Sequence, residues 1–238
     1  VLTSLAIAIT ANAQFASSGS QRTSNQPTQT KRFVSYVKAG VSFNSFSFDK
    51  SLLDLAKQEG ANLSIGSTVG YNALYGFQYS LIENLGLYLG AEIGVGTRGF
   101  KTTMSESGSA GSMIVSYSLL NHNAKITPVQ IGYKHYFTRL FAVDVHIGGF
   151  VSYDFAGKGK FGGLDNGNVY EQSVDIKDID GFQRFDAGIN PGITLWVGPV
   201  GLDFTYQRGF VNAQTSVQAG DMSKAYSSNF LLGLAFCF

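Results

Sequence analysis

Asp144 and His146 are the pair with the best claim to chemistry. They stand two residues apart in Phe-Ala-Val-Asp-Val-His-Ile-Gly-Gly-Phe, and serines are plentiful. A Ser-His-Asp arrangement for acyl transfer can therefore be imagined. His122 and His135 are the other two histidines, neither with a matching Ser/Asp pattern. Three scattered histidines and the single Cys237 give no metal-ligand spacing, and one cysteine closes no internal disulfide. Gly94-Val95-Gly96-Thr97-Arg98-Gly99 fits G-x-G-x-x-G, but that motif cradles a pyrophosphate only between a strand and a following helix. Here Lys-Thr-Thr-Met-Ser-Glu-Ser-Gly follows, which reads as a loop. No catalytic residue, cofactor or metal is assigned on these grounds.

The segments that must position these groups alternate. From Leu85 to Gly96, Leu85, Leu87, Leu89, Ala91, Ile93 and Val95 share one face, and Gly86, Tyr88, Gly90, Glu92, Gly94 and Gly96 the other. Tyr71 to Leu81 does the same. A period of two marks a strand with one apolar and one polar face. These runs exceed the roughly 5–6 residues of most globular strands and match the roughly 9–11 needed to cross a bilayer at a tilt. Eight such runs are expected, at about 33–46, 67–81, 85–100, 120–137, 141–155, 182–197, 200–210 and 228–238.

The connections alternate in length. Those at 82–84, 138–140 and 198–199 are tight; those near 47–66, 101–119, 156–181 and 211–227 are long and polar. Short turns on the periplasmic side and long loops outside characterise outer-membrane barrels. Odd-numbered residues face outward up to Val197, and the two-residue turn Gly198-Pro199 switches the outward set to even numbers. Pro128 and Pro191 fall inside expected strands and each removes a ladder donor, so a bulge or break is expected at both. Ser51 to Gln58 has helical spacing.

Composition agrees with this class. Charged residues are 14% of 238, against roughly 25% in soluble domains. There are 29 glycines, 19 phenylalanines and 12 tyrosines. A net charge of +1 gives no reason to expect a nucleic-acid partner. No run of about 20 apolar residues follows the first few positions, which leaves a barrel, not a helix, as the spanning element. The fold class expected is all-β, an eight-stranded antiparallel up-and-down transmembrane barrel over residues 33–238. Val1 to Ala13 is expected to be a signal-peptide remnant ending in the small-x-small pattern Ala11-Asn12-Ala13. Gln14 to Arg32, rich in Ser, Gln, Thr and Asn, is expected to be a flexible periplasmic tail.

In that barrel the interior polar network comprises Lys38, Glu92, Arg98, Lys134, Asp144, His146, Asp186 and Asp203, and its role is structural. Folding the 138–140 turn puts Lys134 opposite Asp144, and the two are expected to form an ion pair. Lys125 and His135 are the charged or titratable exceptions on the apolar faces, both on the fourth strand. Aromatic residues gather in two girdles: Phe77, Tyr79, Phe137, Phe141, Phe236 and Phe238 on the short-turn side, and Phe43, Tyr153, Phe155 and Phe185 toward the long connections. A soluble lipocalin-like barrel, apolar inside and polar outside, is the competing arrangement.

Phe185-Asp186-Ala187-Gly188-Ile189-Asn190-Pro191-Gly192, the Gly198-Pro199 turn, and Gly201-Leu202-Asp203-Phe204-Thr205-Tyr206-Gln207-Arg208-Gly209 resemble segments of the outer-membrane β-barrel proteins of Bacteroidetes (PorT-like, "porin family"). Ile126-Thr127-Pro128 with Gly132-Tyr133-Lys134-His135-Tyr136-Phe137 is similar to that family's fourth strand. The resemblance covers about 33–238 and carries no catalytic signature. It implies an eight-stranded barrel, an outer-membrane address, and Phe236 and Phe238 as the aromatic end read by barrel-assembly machinery. Some relatives serve type IX secretion.

The expected function is that of a non-enzymatic outer-membrane barrel with a structural or partner-binding role. Its partners are outer-membrane lipid, the assembly machinery, and a protein or host surface met through loops 47–66 and 156–181. A narrow passive channel, a lipid-modifying hydrolase and an accessory factor of type IX secretion are the alternatives. A hydrolase would need its groups near the outer lipid face, whereas Asp144 and His146 fall three and five residues from a short turn, inside.

Overall fold

The computed structural model describes residues 32–48, 62–82, 86–108, 111–165, 168–179, 181–214 and 224–238. The signal-peptide remnant, the tail apart from Arg32, and the helical reading of Ser51 to Gln58 lie outside the described residues.

Eleven strands form one sheet: β1 (Phe33–Phe48), β2 (Asn62–Gly66), β3 (Thr68–Ser80), β4 (Leu87–Gly108), β5 (Gly111–Tyr136), β6 (Phe141–Asp165), β7 (Asn168–Asp175), β8 (Phe185–Ile189), β9 (Gly192–Val197), β10 (Val200–Gly209) and β11 (Ala225–Cys237). All pairings are antiparallel, and β1 pairs with β11 as well as with β3, which closes the sheet on itself. β8 and β9 share one position between β6 and β10, while β2 and β7 are side extensions paired to β4 and β6. The closed ring therefore has eight strand positions, an up-and-down barrel as the alternation requires. Closure leaves no open edge within the ring, so each wall strand has a hydrogen-bonding neighbour on both sides.

The tight turns hold the expected register. Tyr136 faces Ala142, and Val197 faces Val200 across Gly198-Pro199. Gly198 has φ +60°, the conformation demanded of the first central residue in a type II′ hairpin. The β3–β4 connection is two residues longer than expected, since Leu81 N donates to Leu87 O. Parity survives that change, with Tyr79 facing Leu89.

Both prolines interrupt the ladder. Pro191 separates β8 from β9. Around Pro128, Ile126 faces Val151 but Val129 faces Gly149, so β5 carries one extra residue there. A second shift lies between His122 and Asn123, where β6 holds the extra residue, Phe155.

Three long connections are corrected. Residues 101–108, 111–119, 156–165 and 168–175 are strand rather than loop: β4 and β5 pair out to Gly108 and Gly111, and β6 and β7 pair from Lys158–Asp175 to Asp165–Asn168. Residues 62–66 form β2 within the expected 47–66 loop. Polar residues and glycine are frequent in these pieces, and away from the barrel rim, where Leu119, Gly157 and Gly159 are buried, their described side chains are partly or fully exposed; a strand wet on both sides shows no apolar alternation.

Inside, glycines make room for the rings of neighbouring strands. A Cβ on Gly76 would lie 2.5 Å from the Tyr36 ring, and one on Gly132 would lie 2.2 Å from the ring of Tyr88. The Tyr88 ring cannot swing aside, because its hydroxyl donates to Asp144 at 2.6 Å. Gly132→Ala is therefore expected to destabilise the barrel by about 1–3 kcal/mol through overpacking. The check is a fall in the urea midpoint of the refolded protein.

Candidate functional site: a cross-linked polar lumen

The two faces of the ring differ as lipid and lumen differ. Phe43, Val95, Ile131, Val145, Ile147, Ile193, Val197 and Leu234 are exposed on the outside. Lys38, Glu92, Arg98, Lys125, Asp144, His146, Asp154, Asp186 and Asp203 are buried on the inside. The lipocalin-like arrangement is thereby overturned, because its apolar side chains would fill the lumen. The aromatic girdle residues are exposed on the outer face, apart from half-buried Phe236. From Phe141 to Tyr153 along β6 is about 40 Å of strand, or roughly 30 Å of height at a tilt near 40°, close to an outer-membrane apolar band of roughly 25 Å.

Toward the short-turn end the lumen is tied together around Lys38 and Asp144. Lys38 Nζ lies 3.0 Å from Glu92 Oε1 and 2.9 Å from Asp203 Oδ1. Tyr36 donates to Glu92, and Thr194 and Thr205 donate to Asp203. Asp144 accepts from Tyr88 and from Gln78 Nε2. The two threonine bonds stay on neighbouring β9 and β10, while the others join β1 to β4 and β10, and β6 to β3 and β4, and so reach across the lumen between strands that are not neighbours. Beneath them Tyr36, Ala142, Trp196 and Ala235 pack into an apolar floor.

Toward the long-connection end Arg98 is the hub. Its Nη2 donates to Asp154 Oδ2 at 2.6 Å and to the Gln183 carbonyl at 2.8 Å, and its Nη1 lies 3.3 Å from Asp186. Asn121 also donates to Asp154, and Ser227 to Asp186. Between the two clusters, Lys125 donates to Asn72 Oδ1 at 2.9 Å. Above Arg98 the lining turns aromatic. Tyr117 lies there, beyond the outer girdle, and burial pushes its phenol above the usual value.

Seven of the eight expected interior residues are buried, and Lys134 is half-buried. The backbone register placing Lys134 opposite Asp144 is as expected, but the expected ion pair is absent. Lys134 Nζ instead sits 4.3 Å from the centroid of the Trp196 ring. Asp144 is taken by the shorter-range donors Tyr88 and Gln78, with His146 Nδ1 at 3.7 Å. Lys125 is a second correction. The extra residue at Pro128 shifts the inward set of β5 from even to odd numbers above it, so Asn121, Asn123, Lys125 and Thr127 point inward. His135 does face outward, as expected.

Asp154, Asn121, Tyr36 and Tyr88 belong to the network and were not singled out from the sequence. Alternation alone puts Asp154, Tyr36 and Tyr88 inward, so period two carried the signal for them. Asn121 needed the bulge.

The catalytic candidates do not assemble. His146 Nδ1 is too far from Asp144 for a hydrogen bond. His122 stacks on Tyr71 and His135 on Tyr133, each ring nitrogen facing the tyrosine hydroxyl at 3.2 and 3.3 Å. Gly94, Gly96 and Gly99 lie within β4, with no helix following. Among the described residues no group of three or more His, Cys, Asp or Glu could hold a metal ion.

No protein-family model and no curated sequence matches the chain. Solved structures do resemble it. It is similar to Ail, the attachment invasion locus protein of Yersinia pestis, solved in complex with the heparin analogue sucrose octasulfate. Identity is 11%, over 87% of this chain and 100% of that one, with a TM-score of 0.36. It is similar to Neisserial surface protein A at 13% identity, over 86% of this chain and 97% of that one, with a TM-score of 0.37. It is also similar to the outer membrane protein OprG from Pseudomonas aeruginosa at 13% identity, over 86% and 95%, with a TM-score of 0.39.

Proposed function

We propose that the chain is an integral β-barrel of a bacterial outer membrane, closed by its own side chains, with a structural or partner-binding rather than enzymatic role. One observation carries this reading: the ring is apolar outside, and inside its buried charges are bonded across the lumen, Lys38 and Arg98 to carboxylates, Lys125 and Asp144 to neutral polar side chains. Burying ionic groups is costly unless they are paired and hydrogen-bonded, and here the partners reach from opposite walls. That favours a closed lumen over a narrow channel. His122 and His135, held in aromatic contacts, and His146, too far from Asp144 to bond it, favour a non-enzymatic role over lipid hydrolysis.

The motifs of β5, β8 and β10 support a place beside the small outer-membrane barrels of Bacteroidetes. Phe236 and Phe238, at the short-turn end of β11, suit recognition by barrel-assembly machinery. The surface offered to a partner is the β6–β7 hairpin, which stands beyond the outer girdle and carries the exposed pair Lys160–Glu171 at 3.3 Å.

Substitution on the outer face tests this reading. Ile193 lies on β9 opposite Val145 and is exposed in the apolar band. For a lipid-facing site, Ile193→Arg should destabilise the barrel in vesicles by about 2–4 kcal/mol. On a water-facing wall the same change would stay within about 0.5 kcal/mol, and that result would remove the membrane assignment. In planar bilayers the purified protein should give no stepwise conductance; regular openings would establish the channel reading instead.

A further inference from the structure

The inward face changes character at one height on several strands. On β1 the polar Ser42 and Asn44 give way to Phe46 and Phe48; on β4 Arg98 gives way to Phe100; on β5 Asn121 is preceded by Leu119 and Tyr117; on β11 Ser227 is preceded by Ala225. Above the Arg98 cluster these residues line an open-mouthed cavity of about 180 Å³, walled chiefly by Phe46, Phe48, Phe100, Leu119, Ile179 and Phe182. Ala213 and Ala225 complete the wall and leave the space open by being small.

We propose that this cavity is a binding site for uncharged molecules the size of one aromatic ring. Size comes first: an apolar cavity of roughly 150 Å³ holds a benzene ring. Geometry comes second. Phe46 and Phe48 both meet Phe100 edge to face, with centroids 5.0 and 5.3 Å apart, an arrangement that a further ring can extend.

Charge argues against an anionic ligand. The Arg98 guanidinium lies 5.7 Å from the Phe46 centroid and 5.4 Å from that of Phe182. Its charge is already met by Asp154 and Asp186, so an anion gains no free cation. Tyr117 and Gln214 on the same lining supply the few polar atoms that orient a hydroxyl.

The experiment uses the full chain in lipid nanodiscs with 4-fluorophenol as probe, read by fluorine NMR. Saturable line broadening is expected, with none in empty nanodiscs beyond linear partitioning. Ala213→Phe, which fills the cavity, should weaken binding at least tenfold. Phe48→Ala, at the partly buried rim, should weaken it about fivefold and serves if the filled variant does not fold. 4-Fluorobenzoate should bind at least tenfold more weakly than the phenol. Broadening equal to that of empty nanodiscs, unchanged affinity in a folded variant, or equal binding of the carboxylate would each overturn the proposal.

Discussion

Arg98→Met is expected to lower the unfolding free energy by about 3–5 kcal/mol, the usual cost of removing one partner from a buried ion pair. The side chain is almost wholly buried and holds two carboxylates, Asp154 and Asp186, from two other strands. Methionine fills much of the same volume, so the loss reports charge rather than packing. The residual charge can be removed as well. Arg98→Met combined with Asp154→Asn and Asp186→Asn should recover most of the deficit, because no unpaired ion is then left inside. Urea titration of the refolded protein, followed by tryptophan emission from Trp196 at the far end of the lumen, checks both. A triple variant no more stable than the single one would show that Arg98 acts through its stacking on Phe46 and Phe182.

Lys38→Met should cost a similar amount, about 3–5 kcal/mol, for the same physical reason. It strands Glu92 and Asp203, both within 3.0 Å of the ammonium. Lys125, the next buried cation, already donates to Asn72 and sits further up the lumen. Lys38→Met with Glu92→Gln and Asp203→Asn should restore stability, and a double-mutant cycle with Arg98→Met should be additive to within about 0.5 kcal/mol, because the two clusters share no partner. Strong coupling between the two sites would instead mean that the lumen behaves as one continuous network.

The barrel itself was legible because lipid and lumen impose opposite demands on successive residues. Each strand records that in a period of two, and the short turns fix how one strand's phase passes to the next. The projecting parts of β4, β5 and β6 were not legible, since beyond the rim both faces are at least partly exposed and the contrast fades. Lys125 was misplaced for a related reason: Pro128 announced a bulge, but the facing of Asn121 to Thr127 was carried across it unchanged. Lys134 shows a different limit. Register put it opposite Asp144, yet register sets only Cα neighbours. Which donor takes a carboxylate depends on side chains arriving from across the lumen, here Tyr88 from β4 and Gln78 from β3. The aromatic cavity required the same knowledge, since its walls come from segments far apart in the chain.

The extra residues in β5 and β6 behave like a pair of compensating frameshifts. Tyr133 and Val145 are partners below both, and Tyr117 and Phe161 are partners above both, with the same sum of residue numbers. Only the stretch between the two insertions is out of step. Deleting Pro128 alone would remove the bulge and join buried Thr127 directly to exposed Val129, so alternation would run on unbroken, with Lys125 still inward and Ile126 still outward. A one-residue deletion at either bulge therefore keeps every side chain on its own face, whereas the same deletion within a regular stretch of this hairpin would exchange lipid-facing and lumen-facing residues beyond it.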